Sequence, residues 1–465
     1  MDNAAFYLAG ARAIGFLFMK RALPIQRVDR VGGRQAGSVL IVVMIVCLGL
    51  VSMTLVLGHS MLMAYRGADN EVAGRQADAA IEGAAQYAEA QMATVDTPGE
   101  MPDPDNYESE AVSLGDATFW YIGEPDPSDT SNVPAFGLVD EASKLNLNTA
   151  TVTMLEGLPG MTEDLAEAIV AWRSASSASS SSSSSTSASG GSATSTSSVK
   201  GAPFETVEEL AQVNGGTDLD LLYGNDTNLN HVFDPNEGTD GETTFAPGLL
   251  EYVTVFSREP NTLADGTKRI NVTGSSSALT QLLTNTLGAA RSGQINTAIQ
   301  RAGGVHSVLE YYVKSHMTQD EFVKVAPHLT MTNGAYSRGL INVNTACATV
   351  LECVPGITTD LAGQIISTRE EQTTPVTDLS WVAPILGPGV CVQAGPYLTA
   401  QTFQVSADIA AVGRHGRGYR RTLFILDNST GTPQIVYRRN LTYLGWALGA
   451  DERQNLASGQ ASPTP

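Results

Sequence analysis

Cysteine is scarce in this chain: four residues in 465, Cys47, Cys347, Cys353 and Cys391. That excludes a fold stapled together by many disulfides. Cys47 lies in an apolar stretch, and among the other three one pair can bridge, leaving one thiol over. Positive charge is also short, with 27 Lys and Arg against 48 Asp and Glu and a net charge of -21. Counterion release, which supplies most affinity for nucleic acid, then has the wrong sign, and the acidic surface favours solubility. Catalytic signatures are missing. The six histidines (His59, His231, His306, His316, His328 and His415) are scattered, with no His-x-Glu, Cys-x-x-Cys or Gly-x-Ser-x-Gly pattern. No enzyme is expected. The Gly-x-Gly fragments between Gly413 and Gly418 sit between strand-like runs and read as a hairpin turn.

One further absence organises the rest. No Lys, Arg, Asp or Glu occurs between Arg34 and Arg66. A helix needs about 20 apolar residues to cross the ~30 Å core of a bilayer, and here Leu, Val and Ile run around every side. Residues 1–37 carry six positive charges against two negative ones, so the N-terminus is expected in the cytoplasm with a single pass through the membrane. A secretory signal would place small residues at a cleavage site after the apolar run. Val56-Leu57-Gly58-His59-Ser60 is a mediocre site, whereas Gly37 stands just before the run.

After the span, residues 66–93 are rich in alanine and continue the helix. Strands are expected near Ala117–Ile122 and Phe136–Asp140, and again at Leu398–Ala407, Tyr419–Leu426 and Pro433–Leu441, where apolar and polar residues alternate. Arg414, Arg417, Arg420, Arg421, Arg438 and Arg439 concentrate positive charge there, and are read as solvating or blunting an exposed sheet edge. Residues from 449 to 465 read as a disordered polar tail.

Between the two sets of strands the sequence repeats itself. Leu145-Asn146-Leu147-Asn148-Thr149-Ala150 through Leu158-Pro159-Gly160-Met161-Thr162 to Arg173 aligns without a gap on Ile341-Asn342-Val343-Asn344-Thr345-Ala346 through Val354-Pro355-Gly356-Ile357-Thr358 to Arg369. Over half of the aligned residues are identical, and such self-similarity outranks local propensity. Each copy reads as a helix after an Asn-Thr cap, a Pro-Gly turn, and a second helix with acidic residues in its first turn. The half-motifs Pro203–Leu210 and Val376–Val382 follow the two copies, and Val305–Glu310 leads into the second. Residues 174–199, almost all Ser, Ala, Thr and Gly, cannot bury enough apolar surface to order.

This pattern resembles the helix-hairpin-helix, whose turn (Pro159 and Gly160, Pro355 and Gly356) offers backbone N–H groups to phosphate in nucleic-acid binders. Here Thr162 and Thr358 replace the motif's second glycine, and the flanks carry Glu156, Glu163, Asp164, Glu167, Glu352 and Asp360. Nucleic acid is therefore an improbable partner, and a protein-facing role is expected.

Asp226 to Glu237 offers a metal site. As a twelve-residue loop it places oxygen side chains at positions 1, 3, 5, 9 and 12 (Asp226, Asn228, Asn230, Asp234 and Glu237), with the Val232 carbonyl at position 7. That is the ligand spacing of an EF-hand, so a structural Ca2+ is expected. His231 stands where the turn prefers glycine, although His tolerates positive φ better than most residues. Asp218, Asp220, Asp240 and Glu242 are candidate outer ligands.

A basic leader, Gly37 and an apolar helix together resemble the processing site of type IV prepilins and type II secretion pseudopilins. The resemblance implies a membrane peptidase that cuts after Gly37 and methylates Ser38. Met19-Lys20-Arg21 is a second start that would give a leader of more usual length. Most pilins carry Glu at the fifth mature position, and Val42 stands there instead, which resembles the K-class minor pseudopilin of the filament tip. The repeated helical insert is similar to that class as well. The resemblance implies an α+β, pilin-like fold: leader 1–37, transmembrane and spine helix 38–95, first part of the head 96–143, inserted helical domain 144–397 with its second hairpin at 341–371, and terminal strands 398–448. It implies an inner-membrane protein with a periplasmic head that initiates or caps a pseudopilus. Its expected partners are other minor pseudopilins, the major pseudopilin, the prepilin peptidase, the assembly platform and exported substrate. The alternatives are a minor pilin of a type IV pilus or DNA-uptake machine with DNA-contacting hairpins, and a membrane-anchored scaffold or adhesion module.

Overall fold

The computed structural model describes residues 38–125, 132–174, 200–234, 237, 245–274, 276–372 and 376–458. Gly37 with the rest of the expected leader, and the Ser-rich residues 175–199, lie outside them. The chain divides into two compact units, Met1–Arg66 and Gly67–Pro465. In the first, the described residues belong to the helix α1 (Ser38–Ala93). Aliphatic side chains there are exposed on every side, among them Val39, Leu40, Ile45, Leu48, Leu55 and Met61. Among the described residues, α1 is the one helix long and apolar enough to cross a membrane.

From Gly67 onward α1 belongs to the second unit, and its composition changes. Ala73, Ala77, Ala80, Ala84, Ala85 and Ala88 are buried together with Ile81 and Met92; residues three and four apart share one helix face. That face lies on an antiparallel sheet of β1 (Val112–Leu114), β2 (Ala117–Ile122), β3 (Val139–Asp140), β4 (Gln404–Gly413), β5 (Arg417–Asp427) and β6 (Gln434–Asn440). The order is β1-β2-β4-β5-β6, with β3 also on β4. Alternation along the strands sorts the side chains. Phe119, Tyr121, Ala407, Ile409, Ala411, Phe424 and Leu426 pack against the helix alanines. Trp120, Ile122, Ala410 and Val412 pack on the other face with Ala447 and Leu448. Helix and sheet approach so closely that glycine is required. A Cβ on Gly413 would lie 2.1 Å from the Ala73 carbonyl oxygen, and one on Gly418 2.3 Å from the Gly74 nitrogen.

The expected disordered tail is corrected in part: Gly449–Ser458 is a helix. Leu456 gives it an apolar foothold against the cluster that holds Tyr419 and Trp446, a contact that a polar local sequence conceals.

The helical insertion lies between β3 and β4 and contains three related units rather than the two expected. Each begins and ends with a two-residue strand, paired in parallel: Leu145–Asn146 with Val253–Thr254, Ile270–Asn271 with Leu329–Thr330, and Ile341–Asn342 with Leu398–Thr399. The residue after each first strand donates its N–H to the Thr carbonyl of the second strand: Leu147 to Thr254 at 2.9 Å, Val272 to Thr330 at 3.0 Å, Val343 to Thr399 at 2.9 Å. In each, the lead-in Asn side chain accepts from the N–H two residues on, at 2.9, 2.8 and 3.0 Å. The middle unit has no Pro-Gly hairpin; helices Ser277–Leu287 and Ala289–Arg301 stand in its place. Val305–Glu310 belongs to this middle unit, where Ser307 caps the helix Val308–Ser315. The outer two units share one core, and the middle unit has its own.

Candidate functional site

In the first hairpin α2 (Val152–Glu156) is followed by α3 (Glu163–Ser174), and in the second α4 (Ala348–Glu352) by α5 (Thr359–Glu370). The Asn-Thr segment does not cap the first helix, as expected, but forms the lead-in turn. Thr151 caps α2, and Cys347 stands at the N-cap of α4 without a side-chain bond. Thr162 and Thr358, at the place of the motif's usual second glycine, accept the N–H groups of Leu165 and Leu361 at 3.3 and 3.4 Å. Gly160 and Gly356 hold φ of 70° and 88°, which favours glycine.

Gly160 and Gly356 are exposed, each with a neighbouring side chain beside it. A Cβ on Gly160 would lie 2.7 Å from the Leu221 side chain, and one on Gly356 2.7 Å from that of Gln393. The one arginine of each hairpin is turned inward. Arg173 donates to the carbonyls of Leu147 and Ala150, and Arg369 to those of Val343 and Ala346 at 3.3 and 2.6 Å.

The Arg cluster of the terminal strands does not merely blunt an edge. Arg414 and Arg417 both pair with Asp69, Arg420 with Asp78 and Arg438 with Glu82, all acidic residues of α1, and Arg439 pairs with Glu208. Arg421 is fully buried and is held by Asp408 at 2.6 Å. Helix and strands are more than 300 residues apart in sequence for the Asp69 pairs, so no local pattern announces them.

The loop from Asp226 follows the helix Leu219–Tyr223 and folds around its own carboxylates. Asp226 accepts the N–H groups of Asn230 at 3.1 Å and His231 at 2.8 Å. The Asp234 carboxylate accepts the side-chain amides of Asn228 and Asn230 at 2.8 and 3.2 Å. One Glu237 oxygen accepts from the Thr227 N–H and hydroxyl and the Asn228 N–H. Asp226, Asn228, Asn230, Val232, Asp234 and Glu237 are all buried. His231 adopts φ 63°, the left-handed turn that its position in the loop calls for. Its Nδ1 lies 2.7 Å from Glu251. Burial opposes charge on this imidazole, but the Glu251 carboxylate outweighs it and raises the pKa to about 9. Burial likewise raises the Asp226 carboxyl to about 6.

The sheet holds the loop from outside: the Arg421 guanidinium donates to the carbonyls of Asn228 and Leu229. One acceptor is left over. The Oδ1 of buried Asn228 has no hydrogen-bond partner, and a buried unmet acceptor costs about 1–3 kcal/mol. An oxygen-only donor set with one orphaned oxygen fits a hard divalent cation. Among the described residues, no three Asp, Glu, His or Cys side chains already converge as a cage. Asp218 caps the preceding helix through the Asp220 N–H, and Asp240 and Glu242 lie outside the described residues. Ser38 is the first residue of α1. No pair among Cys347, Cys353 and Cys391 is bridged; all three are free thiols, the latter two buried.

A helix-hairpin-helix motif model matches residues 140–180. No curated protein matches the chain. Among solved structures, the chain is similar to one in the crystal structure of the GspK-GspI-GspJ complex from the enterotoxigenic Escherichia coli Type 2 Secretion System. The identity is 10%, the match covers 83% of this chain and 99% of that one, and the TM-score is 0.33.

Proposed function

We propose that the chain is a K-class minor pseudopilin of type II secretion, held in the inner membrane by α1 with its N-terminus in the cytoplasm and its globular unit in the periplasm. The observation that carries this reading is α1 itself. One helix is apolar all round up to Arg66 and then presents an alanine face to an antiparallel sheet. In this reading the prepilin peptidase cuts after Gly37 and methylates Ser38. With Val42 at the fifth mature position there is no intramembrane acid, costly unless paired, to be matched by a neighbour's amine. The subunit therefore sits at the tip, where it initiates or caps the filament. Its partners are the other minor pseudopilins, the major pseudopilin, the inner-membrane assembly platform and exported substrate. The role is mechanical and not enzymatic.

The 226–237 loop takes a structural Ca2+ in this reading, through the side chains of Asp226, Asn228, Asn230, Asp234 and Glu237 and the Val232 carbonyl. The ion neutralises the buried carboxylates and supplies the partner that Asn228 lacks. A DNA-contacting role for the hairpins is disfavoured by the acidic residues on their flanks and by Arg173 and Arg369 donating to backbone carbonyls. The test of the whole reading is mass spectrometry of the mature N-terminus in a host with a prepilin peptidase. Methylated Ser38 is expected, and Gly37→Ala should leave the leader attached. An untrimmed wild-type chain in a host that trims its other pilins sinks the proposal, and a plain anchor would be indifferent to Gly37.

A further inference from the structure

The turn between β4 and β5 carries charge that the filament reading does not use. Arg414, Arg417, Arg420 and Arg421 stand in it or just beyond, and no Asp or Glu occurs from Ile409 to Leu426. Two of the four are committed to the fold: Arg421 is buried against Asp408, and Arg420 reaches Asp78 at 3.4 Å. Arg414 and Arg417 share a single carboxylate, that of Asp69. One positive charge is therefore left over. Glu71, the next acid along α1, is taken by Arg75 at 2.6 Å. The side chains of Arg414 and Arg417 remain 37% and 49% exposed, and His415 between them is exposed as well. Exposed ion pairs of this kind add little to stability, which leaves the second arginine without a structural reason.

The position of the turn supplies one. Gly413 and Gly418 fix it on α1, lying against the Ala73 and Gly74 backbone with no room for a Cβ, and the Arg414 N–H donates to the Gln76 side chain at 3.2 Å. Asp69 follows Arg66, where the uncharged stretch ends, by three residues, about 4.5 Å of helix. The headgroup layer outside the hydrocarbon core is about 5–7 Å deep on each side. With α1 in a bilayer, the two guanidiniums therefore stand at the depth of lipid phosphates, which their forked donors match. We infer that the Arg414–Arg417 turn holds anionic lipid headgroups of the periplasmic leaflet, each arginine contributing about fivefold in affinity. The inference rests on the reading of α1 as a membrane span. A bilayer, unlike a free anion, is kept at the site by the same chain. A long polyanion such as nucleic acid would instead meet the field of a protein with net charge -21.

The experiment is hydrogen–deuterium exchange on the full-length protein in nanodiscs of phosphatidylcholine, alone or mixed with phosphatidylglycerol. The apolar part of α1 should be protected in both kinds of disc. Amides from Arg414 to Gly418 should exchange severalfold more slowly in the phosphatidylglycerol discs, and high salt, which screens exposed charge, should shrink the difference. Arg414→Gln combined with Arg417→Gln should abolish it. Arg301→Gln, which removes the same charge from an exposed site of the middle unit, should leave it intact. If the double variant does not fold, Arg417→Gln alone, at the more exposed of the two, should reduce the difference. Rapid exchange in the apolar part of α1 would overturn the membrane reading and this inference with it. Protection there without a lipid effect at the turn, or an effect that survives in the folded variants, overturns the inference alone. So does a turn slowed as much by inorganic phosphate added to phosphatidylcholine discs, which would make it a site for free anions.

Discussion

Gly157 and Cys353 hold the same place in the two hairpin copies, as the residues that end α2 and α4, and they touch. A Cβ on Gly157 would lie 3.0 Å from both the Cα and the Sγ of Cys353. The two copies therefore meet at equivalent positions and share one core. Gly157 has an ordinary helical φ of -70°, so its glycine is required by contact and not by conformation. Gly157→Ala is expected to cost about 1–3 kcal/mol by overpacking. Cys353→Ala removes the opposing sulfur, and the double variant should be more stable than the sum of the single losses implies. Urea denaturation of the four proteins measures the coupling, and strict additivity would show that the contact carries no strain.

A second junction titrates. Asp140 is buried at the end of β3, where the Thr345 hydroxyl and Asn342 amide of the last repeat unit and the Thr402 hydroxyl just beyond it donate to one of its oxygens at 2.6, 2.8 and 2.7 Å. Burial raises its pKa from 3.8 to about 6, against the pull of these donors. The folded protein then binds the proton more tightly than the unfolded chain. This group's contribution to stability is greatest below pH 4 and declines as pH rises to about 6. At about 1.4 kcal/mol per unit the decline is on the order of 3 kcal/mol. Asp140→Asn should lose that slope, so the stability difference between variant and wild type should move in the variant's favour between pH 4 and 7. A difference independent of pH contradicts this.

Much of this architecture is legible in the sequence, for identifiable reasons. The charge gap from Arg34 to Arg66 and the alanine stripe beyond it predict α1, because both are signals within a single helix. The Pro-Gly repeat predicts both hairpins, since turn chemistry survives duplication. The middle repeat is missed because its hairpin is replaced. What remains is the lead-in Ile270-Asn271-Val272 and the closing Leu329-Thr330, which match Ile341-Asn342-Val343 and Leu398-Thr399 and are the signal that would have found it. The pairing of Arg414 and Arg417 with Asp69 is not legible, because charge pattern along a strand says nothing of which distant helix covers it. In the 226–237 loop, ligand spacing is a local property and readable. The clamp from Arg421 is tertiary and is not.

The arginines of the hairpins yield a prediction that separates a structural role from a nucleic-acid one. Arg173 donates to the Leu147 and Ala150 carbonyls, joining the end of α3 to the lead-in turn. Hydrogen bonds from a charged donor contribute about 1.5–3 kcal/mol, so Arg173→Met should lower stability by that amount. Arg173→Lys should not restore it, because two carbonyls need a forked donor. Duplex DNA at low salt, where phosphate contacts are strongest, should bind neither wild type nor variant. Unchanged stability accompanied by a loss of DNA affinity would reverse the assignment.

Calcium provides the remaining test, and the loop's own bonds set its direction. The carboxylates of Asp226, Asp234 and Glu237 are met by amide N–H groups and hydroxyls of the loop itself, which braces it from within. The ion should add stability to a loop already formed. Saturation at a hundredfold excess over the dissociation constant contributes about 2.7 kcal/mol, read as a melting temperature that falls on adding EGTA and returns with Ca2+. Mg2+ should restore little, because it demands a small octahedral cage that this loop lacks. Asp234→Asn keeps the acceptor for Asn228 and Asn230 while removing a charge, so it should weaken the response to Ca2+ and leave the metal-free melting temperature nearly unchanged. A melting temperature indifferent to EGTA and Ca2+ in the wild type would leave the unmet Asn228 oxygen to water, and the loop to its own hydrogen bonds and the clamp from Arg421.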